Sequence, residues 1–79
     1  MSLTPYEVAI LRSVGAGYGG SSDINAVAVD VRLSPDTVRR RVRSLVRQGA
    51  LIRHPRTGVL SLTMGGRVAL DMAERGGAA

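Results

Sequence analysis

The chain has 79 residues, with eleven Arg, six acidic residues, no Lys and a formal net charge of +5. This length allows one domain, and the absence of Cys excludes a disulfide framework, a thiolate zinc site and a cysteine nucleophile. No apolar run approaches the roughly 18 residues that a membrane span needs. Since the N-terminus also lacks the pattern of a signal peptide, we expect a cytoplasmic protein.

The first predicted helix begins in the sequence LTPYEV. Thr4 suits the N-cap position, and Glu7 three residues later completes a capping box. Gly15 and Gly17 are expected to end the helix. The Gly-rich segment 15–22 then predicts a flexible connector, because the Lys-Ser/Thr pair of a phosphate-binding loop is absent.

A second helix is predicted over about 22–32. Its apolar residues keep helical spacing, and Ser21 or Ser22 is the expected cap. Asp23 would then lie in the first turn, where a negative charge complements the helix dipole.

The third helix is predicted over 34–48, with Ser34 as its N-cap and Gly49 as its stop. At about 100° per residue, one face is apolar and the opposite face is basic. The apolar side holds Val38, Val42, Leu45 and Val46, and the opposite side holds Asp36, Arg40, Arg43 and Arg47. Thr37 and Ser44 flank the basic face on one side and Arg39 on the other, while Arg41 lies nearer the core boundary.

Beyond residue 49 the pattern changes from helix to hairpin. Short strands are predicted at 50–54 and 59–62, and the PRTG sequence at 55–58 predicts the turn between them. Arg53, His54 and Arg56 would lie at or near the tip of this hairpin.

A last helix is predicted over about 64–75, with Thr63 as its cap. Gly65 and Gly66 are poor residues for a first turn, so this helix is expected to fray or to start late. The final residues, 76–79, are expected to form a flexible tail.

The charge is concentrated in one part of the chain. Residues 34–56 contain seven Arg and one acid, Asp36, whereas the remainder contains four Arg and five acids. A positive charge confined to one region is typical of a surface that binds a polyanion, usually nucleic acid.

The order helix, helix, helix, hairpin, helix resembles the winged helix-turn-helix family over about residues 4–75. The string LSPDTVRRRVRSLVRQGALI resembles the recognition helix and first wing strand of Lrp, ArsR and MarR type regulators. LTMGGRVAL is similar to the LTxxGRxxL string that follows the wing in MarR- and PadR-like proteins. The resemblance implies an α+β fold: a three-helix core, a two-stranded β-hairpin wing and a C-terminal helix. We expect one domain over 1–79, folded over about 3–75.

The resemblance also implies a binding mode, in which helix 34–48 enters the major groove of DNA and the wing at 51–62 contacts the flanking groove or backbone. Residues expected at base edges are Asp36, Thr37, Arg40 and Arg41. Residues expected at the backbone are Ser34, Arg39, Arg43, Ser44 and Arg47, and those expected in the wing contact are Arg53, His54, Arg56 and Thr57. For Asp36 a helix-dipole role is the alternative, and for His54 a plain surface position.

The sequence thus favours a double-stranded DNA-binding regulator, repressor-like and nucleoid-associated, without cofactor or metal. The main alternative is a protein-interaction winged helix, or a subunit of a larger nucleoprotein or phage complex. Single-stranded nucleic acid is disfavoured because the two aromatic residues, Tyr6 and Tyr18, lie outside the basic segment. An enzyme is disfavoured because no catalytic constellation is present. A weak homodimer through the first and last helices is expected.

Overall fold

The computed structural model describes residues 3–77, which form four α-helices and a three-stranded antiparallel sheet. The elements in chain order are α1 (Pro5–Ala16), a short 3₁₀ turn (Tyr18–Gly20), β1 (Ser21–Ser22), α2 (Ile24–Val31), α3 (Pro35–Arg47), β2 (Leu51–Arg53), β3 (Leu60–Leu62) and α4 (Met64–Gly77). The α+β architecture, with a hairpin after the third helix and a further helix behind it, is confirmed. No helix within residues 3–77 combines the length and the apolar composition needed to cross a membrane.

The sheet has β3 at its centre, between β1 and β2. The β2–β3 pair is the predicted hairpin, with Ile52 opposite Ser61. Strand β1 lies where we expected only a flexible connector. It pairs Ser21 with Ser61, and their hydroxyl oxygens are 3.1 Å apart. A two-residue polar strand has no alternating pattern, which is why the sequence does not reveal it.

The start of α2 also differs from the prediction. Asp23, rather than Ser21 or Ser22, is the N-cap, and its carboxylate accepts a 2.7 Å hydrogen bond from the Ala26 amide. The two serines are in β1 instead. At the other end, Arg32 adopts a left-handed conformation with φ of 59° and closes the turn toward α3.

The capping box of α1 is present as predicted. The Glu7 amide donates to Thr4 Oγ1, and the Thr4 amide donates to the Glu7 carboxylate. Gly15, which we expected to end the helix, lies inside it, and Gly17 is the cap. A Cβ at Gly15 would come within 2.9 Å of Leu62 Cδ1, so this glycine serves close packing against β3.

In the part of the chain that the structure describes, a single core lies between the helices and the inner face of the sheet. Its fully buried large side chains are Ile10, Leu11, Val14, Val27, Val38, Val42, Leu45, Leu51 and Leu60. Helix α3 contributes Val38, Val42 and Leu45, as its periodicity predicts. Val46 is an exception, because 38% of it remains exposed and it lies beside the hairpin instead of in the core.

The turn between α3 and β2 is a Schellman motif at Gly49. Gly49 has φ of 81°, and the Ala50 amide donates to the Leu45 carbonyl at 2.9 Å. Thr63 binds this turn to α4, because its hydroxyl donates to the Gly49 carbonyl and accepts from the Gly66 amide.

Helix α4 begins at Met64, so the expectation of a late start is wrong, while the expectation of fraying stays a prediction. A Cβ at Gly66 would come within 1.9 Å of the Ala50 carbonyl oxygen. This glycine therefore permits the first turn of α4 to lie directly on the chain at Ala50, and that contact compensates for its low helix propensity. The helix continues to Gly77, beyond the predicted end at residue 75, while the rest of the predicted tail, 78–79, lies outside the described residues.

Gly66→Ala should lower the free energy of unfolding by about 3 kcal/mol, at the upper end of overpacking costs, because Ala50 is backbone that cannot move aside easily. Gly65→Ala is the matched control. Its Cβ would meet only ordinary contacts, the nearest at 3.5 Å, and we expect it to raise stability by about 0.5 kcal/mol. Urea denaturation of both variants measures the difference. Equal stability would contradict the role assigned to Gly66.

Candidate nucleic-acid interface

The outer face of α3 carries the predicted row of polar residues. Helix α3 buries Val38, Val42 and Leu45 on one side. The opposite side is therefore exposed, and it carries Asp36, Arg40, Arg43 and Arg47. The exposure of these four residues confirms the rotation of the helix that its periodicity predicts.

The N-terminus of α3 is held by Ser34. Its hydroxyl accepts a 3.2 Å hydrogen bond from the Thr37 amide and lies 2.9 Å from the Thr37 hydroxyl. The two hydroxyls therefore form one polar pair at the start of the helix. Pro35 has no N–H and the Thr37 and Val38 amides donate to Ser34, so the hydroxyl pair is the main polar feature of this helix end.

Asp36 has a side-chain partner on its own helix. It forms an ion pair with Arg39, one turn along the helix, with 2.7 Å between the carboxylate and the guanidinium. The Asp36 side chain is 84% exposed, so this ion pair lies on the protein surface. Arg39 is thus directed toward the N-terminus of α3 in the free protein.

Arg41 is placed apart from the exposed row. It is half-buried, and its guanidinium carbon lies 5.8 Å from the centre of the Tyr6 ring on α1, within cation–π range. Arg41, Thr37, Arg40 and Ser44 also border a shallow depression between α3 and Glu7 of α1. The sequence places Arg41 at the core boundary, and the structure adds that it links α3 to α1.

The tip of the wing is an ordered turn. The His54 amide donates to the Val59 carbonyl and the Gly58 amide donates to the His54 carbonyl, both at 2.8 Å. Thr57 accepts a hydrogen bond from the Val59 amide through its hydroxyl. All four predicted wing residues are exposed: Arg53, His54, Arg56 and Thr57.

One grouping is not evident from the sequence. Arg39, Arg43 and Arg53 line a single groove of about 220 Å³ between α3 and the wing, with Val42 and Val46 as its apolar wall. The grouping depends on how the hairpin packs against the helix. The signal that could have indicated it is the alternation along β2, which puts Arg53 on the same side as the buried Leu51.

The ion pairs increase the difference in charge between the surface of α3 and the wing and the rest of the described molecule. Away from α3, Arg12 pairs with Glu74 at 3.2 Å and Arg75 pairs with Asp71 at 2.8 Å. In α3 and the wing, Arg39 is the arginine that has a carboxylate within 4 Å in the part of the chain that the structure describes. The arginines there without such a pair are Arg40, Arg41, Arg43, Arg47, Arg53 and Arg56. Residues 3–77 also contain no cluster of His, Cys, Asp and Glu suited to a metal ion.

No protein-family model and no curated protein sequence matches the chain. Solved structures match it closely in shape. The reduced form of MarR from E. coli superimposes with a TM-score of 0.84 at 19% identity, over 95% of this chain and 54% of that one. The chain has a winged helix-turn-helix fold.

Two further solved structures match the chain over a similar extent. A protein of unknown function from Listeria innocua matches with a TM-score of 0.83 and 25% identity, over 94% of this chain and 52% of that one. BpsR of Bordetella bronchiseptica, whose DNA binding is regulated by 6-hydroxynicotinic acid, matches with a TM-score of 0.80 and 24% identity, over 90% and 52%. The chain therefore spans about half the length of the solved structures that it matches.

The Arg41–Tyr6 contact should contribute to stability. In a double-mutant cycle of Arg41→Ala and Tyr6→Leu, we expect a coupling free energy of about 0.5–1 kcal/mol, the range for exposed cation–π pairs. Arg47→Ala is the control, since Arg47 is exposed and has no carboxylate partner among residues 3–77. Thermal unfolding measures all the variants, and a coupling of zero would show that the two side chains do not stabilise each other.

Proposed function

We propose that the chain is a transcription regulator that binds double-stranded DNA and acts as a repressor. The observation that carries this proposal is the exposed, unpaired arginine surface on α3 and the wing, the two elements that a winged helix directs at DNA. The arginines on this surface repel one another. A bound polyanion relieves that repulsion, and little else among residues 3–77 does. Such a protein acts on the nucleoid in the cytoplasm, which is the location that we propose for it.

Within this proposal the first turns of α3 contact base edges. Arg40 is exposed one turn from the N-terminus of the helix, where its guanidinium can bond guanine O6 and N7 together. Thr37 lies beside it, and Asp36 is suited to accept from cytosine N4 or to hold Arg39 in place. Arg41 is the least favourable base contact of the four that we expected, because it is directed toward Tyr6.

The remaining polar residues hold the backbone. Ser34 faces one phosphate through its hydroxyl, and Arg43, Ser44 and Arg47 lie further along the helix. Ser44 is already an acceptor for the Gln48 side chain at 3.0 Å, so it contributes less than the arginines. In the wing, Arg56 is the residue that we assign to the flanking groove.

A protein-interaction module is the alternative, in which the same arginines bind an acidic protein surface. DNA binding distinguishes the two. For duplex DNA, we expect a plot of log affinity against log salt with a slope between about −3 and −6, at about −0.9 for each phosphate engaged. Fluorescence anisotropy with a labelled duplex measures it. The absence of duplex binding at low salt would overturn the DNA proposal and favour the protein partner.

Selection of bound duplexes from a random pool tests the division between base and backbone contacts. Arg40→Ala should relax the preference at one base position, a loss of about 1–3 kcal/mol in discrimination. Arg56→Ala should weaken binding evenly across sequences and leave the preference unchanged. Identical selected sequences and affinities for wild type and both variants would show that the site is misplaced.

We also propose that the protein forms a weak homodimer through α1 and α4. An apolar groove of about 790 Å³ runs between these helices, bordered by Leu3 and Val8 on one side and by Val68 and Met72 on the other. Val68 and Met72 are 52% and 66% exposed, one turn apart on the same face. Paired half-sites one helical turn apart are the common target of such dimers.

Met72→Glu should shift the protein to monomer in sedimentation velocity, because it puts a charge into the apolar contact. Val29→Glu is the matched control, since Val29 is 81% exposed on α2, outside this groove. A strictly monomeric wild type at high concentration would contradict the dimer. So would an equal effect of the two substitutions.

A further inference from the structure

The groove between α3 and the wing, lined by Arg39, Arg43 and Arg53, shares Arg43 with the exposed row of α3 but differs from it in geometry. Residues of the row lie side by side on one helix, whereas these three approach one space from two elements. We propose that they form a single composite site, which we call the three-arginine groove, for one phosphate of the DNA backbone. The proposal rests on the proposed function and specifies how one part of that surface works.

Helix α3 presents two of the three arginines because of its periodicity. The positions 39, 42, 43 and 46 follow the spacing i, i+3, i+4, i+7 and therefore share one face. Val42 is buried on this face and Val46 is partly exposed, so the face turns from the core toward the hairpin. Arg39 and Arg43 lie one turn apart along its open edge.

Strand β2 supplies the third arginine through its alternation. Leu51 is buried and Ile52 is exposed, so Arg53 returns to the side of the sheet that faces α3. Its guanidinium lies beside Gly58 at the turn, where a Cβ on that glycine would be 3.8 Å from Arg53 Nη2. Arg53 therefore lines the groove from the wing, opposite the two arginines of α3.

The electrostatics favour an anion in this space. Three guanidinium groups repel one another, and no acidic residue lines the groove. A phosphate between them relieves that repulsion and accepts paired N–H donors in the fork geometry for which arginine is suited. The apolar wall of Val42 and Val46 reduces the access of water on one side, which strengthens the charge interaction.

Asp36 acts as the internal competitor of the phosphate. In the free protein its carboxylate holds Arg39 at 2.7 Å, in a depression shared with Arg40 and Arg43. A DNA phosphate must therefore share Arg39 with Asp36 or displace it. The ion pair weakens the site for every phosphate equally, so it lowers the affinity for DNA of any sequence.

The test uses the full chain and a duplex of arbitrary sequence. Arg43→Gln and Arg53→Gln should each weaken binding about tenfold, a typical loss for a charge-assisted contact. Because they share one phosphate, the double variant should lose less than about thirtyfold, whereas independent contacts would give about a hundredfold. Arg47→Gln with Arg56→Gln is the matched control, again one helix and one wing residue, and its losses should multiply.

The salt dependence gives a second readout. The double variant in the three-arginine groove should lose about 0.9 from the slope, and the control double variant about 1.8, since it removes contacts to two phosphates. Multiplying losses and a slope change of about 1.8 for Arg43→Gln with Arg53→Gln would overturn the composite site while the DNA proposal stands. A wild type that fails to bind duplex at low salt would overturn both.

The competition by Asp36 has its own outcome. Asp36→Asn should raise the affinity for the same duplex about threefold, in line with the strength of an exposed ion pair. In an Arg39→Gln background this gain should disappear. A gain that persists without Arg39 would show general repulsion of DNA by Asp36 and overturn the competition. Circular dichroism checks that the variants, all at exposed positions, remain folded.

Discussion

The orientation of α3 depends on one constraint, the burial of three apolar side chains on one side of a 13-residue helix. Val38, Val42 and Leu45 each contribute on the order of 1.5–3 kcal/mol by leaving water, and rotating the helix would expose them. Packing therefore fixes the direction of the arginines on the opposite side, because burial of one face determines which positions of α3 are exposed. Charge placement in this protein is a consequence of the hydrophobic core, even though charge is the property that we propose it uses.

A second organising point is the short stretch at Gly49 and Ala50. Helix α3 ends there in a Schellman motif, β2 begins there, and the first turn of α4 lies on it through Thr63 and Gly66. Three elements thus meet within two residues. Only a residue without a side chain fits at position 66, and only a left-handed turn fits at position 49, so this stretch tolerates little variation in sequence.

Much of the fold is predictable from the sequence because it follows from local rules. The caps at Thr4 and Ser34, the period of α3 and the turn after His54 each depend on residues within a few positions of one another. The sequence does not reveal β1 or the true role of Gly66, because both depend on contacts with distant residues, Ser61 and Ala50. Candidate site residues show the same division. The exposed row on α3 follows from periodicity, while the three-arginine groove requires the hairpin to be packed against the helix. The base and backbone assignments remain predictions.

The contact between Gly66 and Ala50 has a mechanical consequence. The first turn of α4 is packed against the backbone that follows α3, so a tilt of α4 would have to move that backbone as well. The positions of α3 and α4 are therefore coupled through Gly49 and Ala50. If two copies associate through α4, the separation of their α3 helices is set by the angle at which the α4 helices cross. Under the proposed DNA binding, the spacing of the two half-sites is then a property of a surface that contains none of the arginines of α3 and the wing.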